Sequence, residues 1–90
     1  MKIHKNLYIG GKVQGVFYRR SAKEKADELG IRGFVQNMPD GSVYAEAEGE
    51  ASDVLKFIAW CHIGPEAAKV TEVKVETSEL ADFPDFRIWR

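Results

Sequence analysis

Between positions 3 and 13, the apolar residues Ile3, Leu7, Ile9 and Val13 fall on odd positions, while His4, Asn6, Gly10 and Lys12 fall on even ones. A period of two marks a half-buried strand and predicts one over roughly residues 4 to 11. The period then changes. Ser21 and Glu24 stand at capping-box spacing, and Ala22, Ala26 and Leu29 follow at helical spacing up to Gly30, so a short amphipathic helix capped by Ser21 is expected. Residues 31–36 are short and apolar-rich. Asn37, Met38, Pro39, Asp40 and Gly41 carry turn chemistry, and Val43, Ala45 and Ala47 alternate against Ser42, Tyr44, Glu46 and Glu48. This pattern predicts a hairpin. A second helix is expected over about 51–63, with Val54, Phe57, Ile58 and Cys61 on one face, Asp53, Lys56 and His62 on the polar side, and Gly64-Pro65 as the stop. Alternation returns over 69–77, and 86–90 can add a short last strand.

The order is strand, helix, strand, strand, helix, strand, with a short terminal strand. Two right-handed crossover units with both helices on one face of an antiparallel sheet make a ferredoxin-like α+β sandwich with a βαββαβ core. No internal repeat, linker or low-complexity segment divides the chain, so residues 1–90 are expected to form one domain.

Composition narrows the function classes. Thirteen Lys and Arg against fourteen Asp and Glu leave a formal net charge of −1. There is no global field to attract nucleic acid or an anionic membrane, and an anion site must be local. The single cysteine, Cys61, excludes an internal disulfide and a multi-cysteine zinc site. On the apolar helix face, it is expected to be a buried small hydrophobe. His4 and His62 have no Asp or Cys partner at metal-ligand spacing, so both are expected at the surface and no metal site is expected. The N-terminus is too polar for a signal sequence, and a cytoplasmic monomer is the expectation.

The chemistry concentrates in Gly10-Gly11-Lys12-Val13-Gln14-Gly15-Val16-Phe17-Tyr18-Arg19-Arg20, between the first strand and the first helix. A glycine-bearing loop that runs into a helix N-terminus collects unpaired N–H groups that can wrap a phosphate, and an adjacent Arg can pair with it bidentately. Spacing alone equally supports a plain chain reversal with solvated arginines. Arg20 is expected to be solvated. Lys12 reads as the wet side of a strand, Tyr18 as either a phosphate shield or a core residue, and Asp40-Gly41 as turn chemistry.

Gly11, Val13, Gln14, Gly15, Val16, Tyr18 and Arg19 together resemble the loop signature of the acylphosphatase family. Gly33, Val35, Asn37, Pro39, Asp40, Gly41 and Val43 are similar to its second signature, and Glu48-Gly49, Trp60 and Gly64-Pro65 extend the likeness along nearly the whole chain. Phe17, where many members have Gly, and Ala68 before Lys69 depart from the pattern. The resemblance implies that Arg19 binds phosphate, that the backbone of Gln14, Gly15, Val16, Phe17 and Tyr18 forms a cradle, and that Asn37 orients the attacking water. It implies hydrolysis of an acyl phosphate to a carboxylate and inorganic phosphate without cofactor or metal, with phosphate as a competitive inhibitor. Three other readings fit less well. An RNA-recognition module needs an aromatic and basic third strand, whereas residues 42–48 offer acids and the single Tyr44. An anion-binding regulatory domain has no use for a water-orienting Asn37. The carbamoyl-phosphate-handling domain of hydrogenase-maturation proteins belongs to a much longer chain.

Overall fold

A computed structural model describes all 90 residues. Seven elements follow in the expected order: β1 (Lys2–Lys12), α1 (Tyr18–Leu29), β2 (Arg32–Asn37), β3 (Val43–Glu50), α2 (Ala51–Cys61), β4 (Lys69–Ser78) and β5 (Phe86–Trp89). The five strands form one sheet in the order β4-β1-β3-β2-β5. β1 pairs antiparallel with β3 and β4, and β2 pairs antiparallel with β3. The predicted ferredoxin-like α+β fold is the observed one, and the terminal strand adds to it: β5 runs parallel to β2, which makes the sheet mixed. No helix is long and apolar enough to cross a membrane.

The period-two pattern sorts the two faces of the sheet. Leu7, Ile9, Val35, Val43, Ala45 and Ala47 are buried in one core with Ala22 and Ala26 of α1 and Val54, Phe57 and Cys61 of α2. Small residues on α1 and β3 (Ala22, Ala26, Ala45, Ala47) leave room in this core for the bulk of Tyr18, Phe57 and Phe86. Tyr18 belongs to this core. Its ring is 1% exposed and its hydroxyl donates to the Cys61 carbonyl at 2.7 Å, tying the start of α1 to the end of α2. Cys61 is buried as expected, and burial pushes its thiol up to about 12, which leaves it protonated and unreactive at neutral pH.

Three local expectations need correction. Helix α1 begins three residues before Ser21. Phe17 takes the N-cap position with left-handed backbone, φ 64° and ψ 23°, and no side chain caps the helix, so Ser21 and Glu24 are interior helical residues rather than a capping box. Helix α2 ends at Cys61, and His62 caps it with its Nδ1 within 3.0 Å of the Ile58 carbonyl; this histidine is exposed as expected.

His4 is not at the surface. It lies on the sheet face opposite the helices, is 3% exposed, and sits with Nδ1 2.6 Å from the Glu79 carbonyl and Nε2 2.8 Å from Glu46 Oε1. The cover comes from residues 79–85, which lie across that face. Phe83 meets the His4 ring edge-on at 5.5 Å and the Phe34 ring at 5.9 Å, while Trp89 of β5 stacks flat on Phe34 at 3.7 Å. The strap is fastened by Glu48, a β3 carboxylate that accepts N–H bonds from Ala81 (2.6 Å), Asp82 (3.1 Å) and Phe83 (2.9 Å).

Candidate active site

At its C-terminal end β1 is interrupted by an irregularity in its pairing with β4 between Gly10 and Gly11. Gly11 has φ 118°, and a side chain there would collide with the Lys69 carbonyl, so the bulge requires glycine. Beyond Lys12, which still pairs with Lys69, the chain leaves the sheet. Val13 and Val16 are drawn into the core, Gly15 turns the backbone with φ 73°, and Phe17 delivers it to the first turn of α1. Residues 14–17 belong to no helix or strand, and the backbone N–H groups of Gln14, Gly15, Val16, Phe17 and Tyr18 have no acceptor within the protein. They lie at the positive end of the α1 dipole.

Three elements bring their ends to this loop. A cavity of about 360 Å³ is lined by Val13, Gly15, Phe17, Tyr18, Arg19 and Arg20 from the loop and α1, by Asn37 from the last position of β2, and by Ile88 and Arg90 from the end of the chain. Arg19 is half-buried in the first turn of α1, and its Nη1 donates to the Trp89 carbonyl at 3.1 Å. That bond holds the guanidinium by one nitrogen and leaves further N–H donors for a ligand. Asn37 is half-buried and pairs with Val43, at the point where β2 gives way to the turn. The turn itself is closed by Met38 N–H to the Ser42 carbonyl (2.8 Å). Asp40 accepts from the Ser42 amide and hydroxyl at 2.9 and 2.6 Å, and these bonds hold its carboxyl below the usual range.

Three arginines and no acidic residue line the cavity, so it is locally positive in a chain of net charge −1. The fold thus brings Arg19, Asn37 and the loop residues together, although Arg19 and Asn37 are eighteen positions apart in sequence. Arg20 is exposed as expected, yet it borders the same cavity rather than pointing away from it. Lys12 is exposed and does not line the cavity. Two contributions are not evident from the spacing of residues. One is the carbonyl of Trp89, a backbone group whose position depends on β5 pairing with β2. The other is Ile88, which joins Val13, Phe17 and Tyr18 in the cavity's apolar lining.

The family model described as Acylphosphatase matches residues 5–88. The chain is 49% identical over 83 residues to an acylphosphatase of Marinobacter nauticus, covering 91% of this chain and 90% of that one. It is 51% identical over 82 residues to an acylphosphatase of Acaryochloris marina, covering 91% and 88%. The solved structure of an acylphosphatase from Coxiella burnetii superposes with a TM-score of 0.94 at 36% identity, covering 98% of this chain and 93% of that one. Matched along nearly its whole length in sequence and in fold, the chain belongs to the acylphosphatase family, the enzymes that hydrolyse acyl phosphates.

Proposed function

We propose that hydrolysis proceeds by in-line attack of water on phosphorus, with the phosphoryl group held by the backbone N–H groups of Gln14 to Tyr18 and by Arg19, and with the water oriented by Asn37. The observation that carries this reading is the convergence on one acid-free cavity of a loop of unpartnered N–H groups, an arginine fork and a carboxamide. The N–H groups and the guanidinium take the equatorial phosphoryl oxygens, where charge concentrates in the transition state. Because the Trp89 carbonyl already holds the Arg19 fork, little reorganisation is needed when the phosphate arrives.

No general acid is required. The leaving group is a carboxylate with a conjugate-acid pKa of roughly 4 to 5, by analogy with Asp and Glu, and it departs as an anion. Asn37 does not deprotonate water at neutral pH, but its Oδ1 can accept a hydrogen bond from the water and aim its lone pair at phosphorus. The arginines and N–H groups supply the charge stabilisation that a metal ion would otherwise give. Inorganic phosphate, sharing the same contacts, acts as product and competitive inhibitor, and the protein works as a monomer.

Every group placed here addresses the phosphoryl end. Attack at the acyl carbon would need an oxyanion hole at the carbonyl and a base, and both histidines are engaged elsewhere in the fold. Hydrolysis of an aryl acyl phosphate in oxygen-18 water is therefore expected to label the phosphate and leave the carboxylate unlabelled, with and without chelator. Label in the carboxylate under single turnover would mean attack at carbon and would remove Asn37 from its role.

A further inference from the structure

Gln14 has a side chain as well as a place in the loop. Its Nε2 donates to the Met38 carbonyl and to the Ser42 carbonyl, each at 2.8 Å. These are the two carbonyls at the mouth of the β2–β3 turn, and the contacts span 24 and 28 positions of sequence. The turn does not need them for closure. Met38 N–H already bonds Ser42, Gly41 N–H bonds Met38 at 3.1 Å, and Asp40 holds Ser42 from the outside. What the two Gln14 bonds add is attachment of a self-closed turn to the phosphate loop.

Asn37 is joined to Met38 by one peptide bond. We propose that Gln14 is a positioning residue that clamps the β2–β3 turn to the phosphate loop and so fixes Asn37 relative to the phosphoryl group, an inference that rests on the water-orienting role given to Asn37 above. One residue then couples both halves of the reaction geometry: its N–H belongs to the surface that receives phosphate, and its carboxamide sets the distance from that surface to the group that aims the water. A primary amide suits this task because one nitrogen presents two N–H groups to two carbonyls without adding charge beside the phosphate. Glutamate has the same shape and would set its oxygens against both carbonyls. Methionine has the length and lacks the donors.

The test is a double-mutant cycle read in two quantities, the kcat for an aryl acyl phosphate and the inhibition constant of inorganic phosphate, with melting curves to establish that each variant is folded. Gln14→Met and Gln14→Glu are expected to lower kcat by roughly tenfold to a hundredfold, the range that a misplacement of about 1 Å produces. The phosphate inhibition constant should change by less than about threefold, because the backbone cradle and Arg19 remain. In an Asn37→Ala background, Gln14→Met should cause no further loss of kcat, since there is no carboxamide left to position. If Gln14→Met does not fold, Gln14→Ser, which lets water reach both carbonyls, is read in the same way.

A full Asn37→Ala loss beside unchanged kcat in the Gln14 variants would overturn the clamp and leave the proposed mechanism standing. Losses that multiply in the double variant, or that appear equally in phosphate binding, would show Gln14 acting on the loop itself and would also overturn the clamp. Unchanged kcat in Asn37→Ala would overturn the mechanism, and the clamp with it.

Discussion

The chain contains two short backbone segments whose successive N–H groups are not used by helix or sheet, and they have opposite contents. In residues 81–83 these groups meet at the Glu48 carboxylate, which accepts all three. In residues 14–18 the N–H groups have no acceptor within the protein. The two loops share a construction device, because the only non-glycine residues with positive φ in the molecule are Asp82 (56°) and Phe17 (64°), one in each. A left-handed residue beside right-handed neighbours turns successive N–H groups to the same side and makes an anion-binding concavity. Where the chain supplies the anion itself, the concavity fastens a strap. Where it supplies an arginine and a locally positive cavity instead, the concavity can receive a ligand. Under the proposed mechanism the same backbone device serves stability in one place and catalysis in the other, and mutations in the two should separate those effects.

The largest expected effect is at the open cradle. Arg19→Ala should lower turnover by ~100-fold or more, the loss of a charge-assisted pair worth at least a few kcal/mol, while the melting temperature changes little. Arg19→Lys should not restore activity, because an ammonium lacks the planar fork that bonds the Trp89 carbonyl and, in the proposed mechanism, a phosphate oxygen at the same time. Arg20→Ala, bordering the same cavity from an exposed position, should change turnover far less. Steady-state kinetics beside thermal melts check all three, and a melting loss in Arg19→Ala comparable to that of a core variant would remove the contrast between the two loops.

The filled concavity should behave in the reverse sense. Glu48→Ala deprives three N–H groups of a charged acceptor and should cost about 2–3 kcal/mol, with kcat nearly unchanged. In a domain of this size that corresponds to a fall of roughly 10 °C or more in melting temperature. The effect depends on pH in a definite direction. Burial disfavours the Glu48 anion, but the bonds from Ala81, Phe83 and Asp82, aided by His4, outweigh it and hold the carboxyl below its usual range. A depressed folded pKa contributes stability above the unfolded value of about 4.3, and that contribution is lost as pH falls through the lower folded value. Denaturation midpoints of the wild type should therefore drop faster below about pH 4 than those of Glu48→Gln, which has no proton to take up. Parallel curves for the two proteins would mean that the Glu48 charge does not hold the strap.

The open loop was the more legible of the two from sequence. Glycines in a strand-to-helix loop and a following arginine are residue types that a phosphate site uses, but their spacing alone equally supports a chain reversal, and it is the resemblance to a family signature that singles out Arg19 and Asn37. Glu48 and His4 gave no such sign, because in an alternating strand both read as ordinary polar positions facing water. Periodicity tells which side of a sheet a residue occupies, but it does not tell whether a strap with no periodicity of its own crosses that side. For the same reason the Ser21–Glu24 spacing misplaced the start of α1. The spacing implies a side-chain cap, whereas the helix N-terminus is uncapped and open toward the cavity.

The smallest expected effect concerns what the open cradle costs before a ligand arrives. Asp tolerates left-handed backbone because its short polar side chain can bond locally, so Asp82 holds its loop with little strain, whereas Phe17 has no such compensation. A left-handed conformation costs an ordinary L-residue roughly 1–2 kcal/mol. Phe17 is 71% exposed, so its ring recovers little of that by burial. Phe17→Gly removes the strain but adds freedom to the unfolded chain, an opposing term of about 0.4–1 kcal/mol. The difference predicts a gain of about 0.5–1 kcal/mol, or a few degrees in melting temperature. Because the proposed cradle uses the backbone N–H of residue 17 and not its side chain, phosphate inhibition should be unchanged. The ring is, however, part of the cavity's apolar lining with Val13, Tyr18 and Ile88, so KM for an aryl acyl phosphate should rise by about twofold to fivefold, the worth of one partial aromatic contact, and KM for acetyl phosphate should stay constant. A fall in melting temperature would show that the Phe17 side chain stabilises its loop after all, and equal changes in KM for both substrates would place its effect on the phosphate rather than on the acyl group.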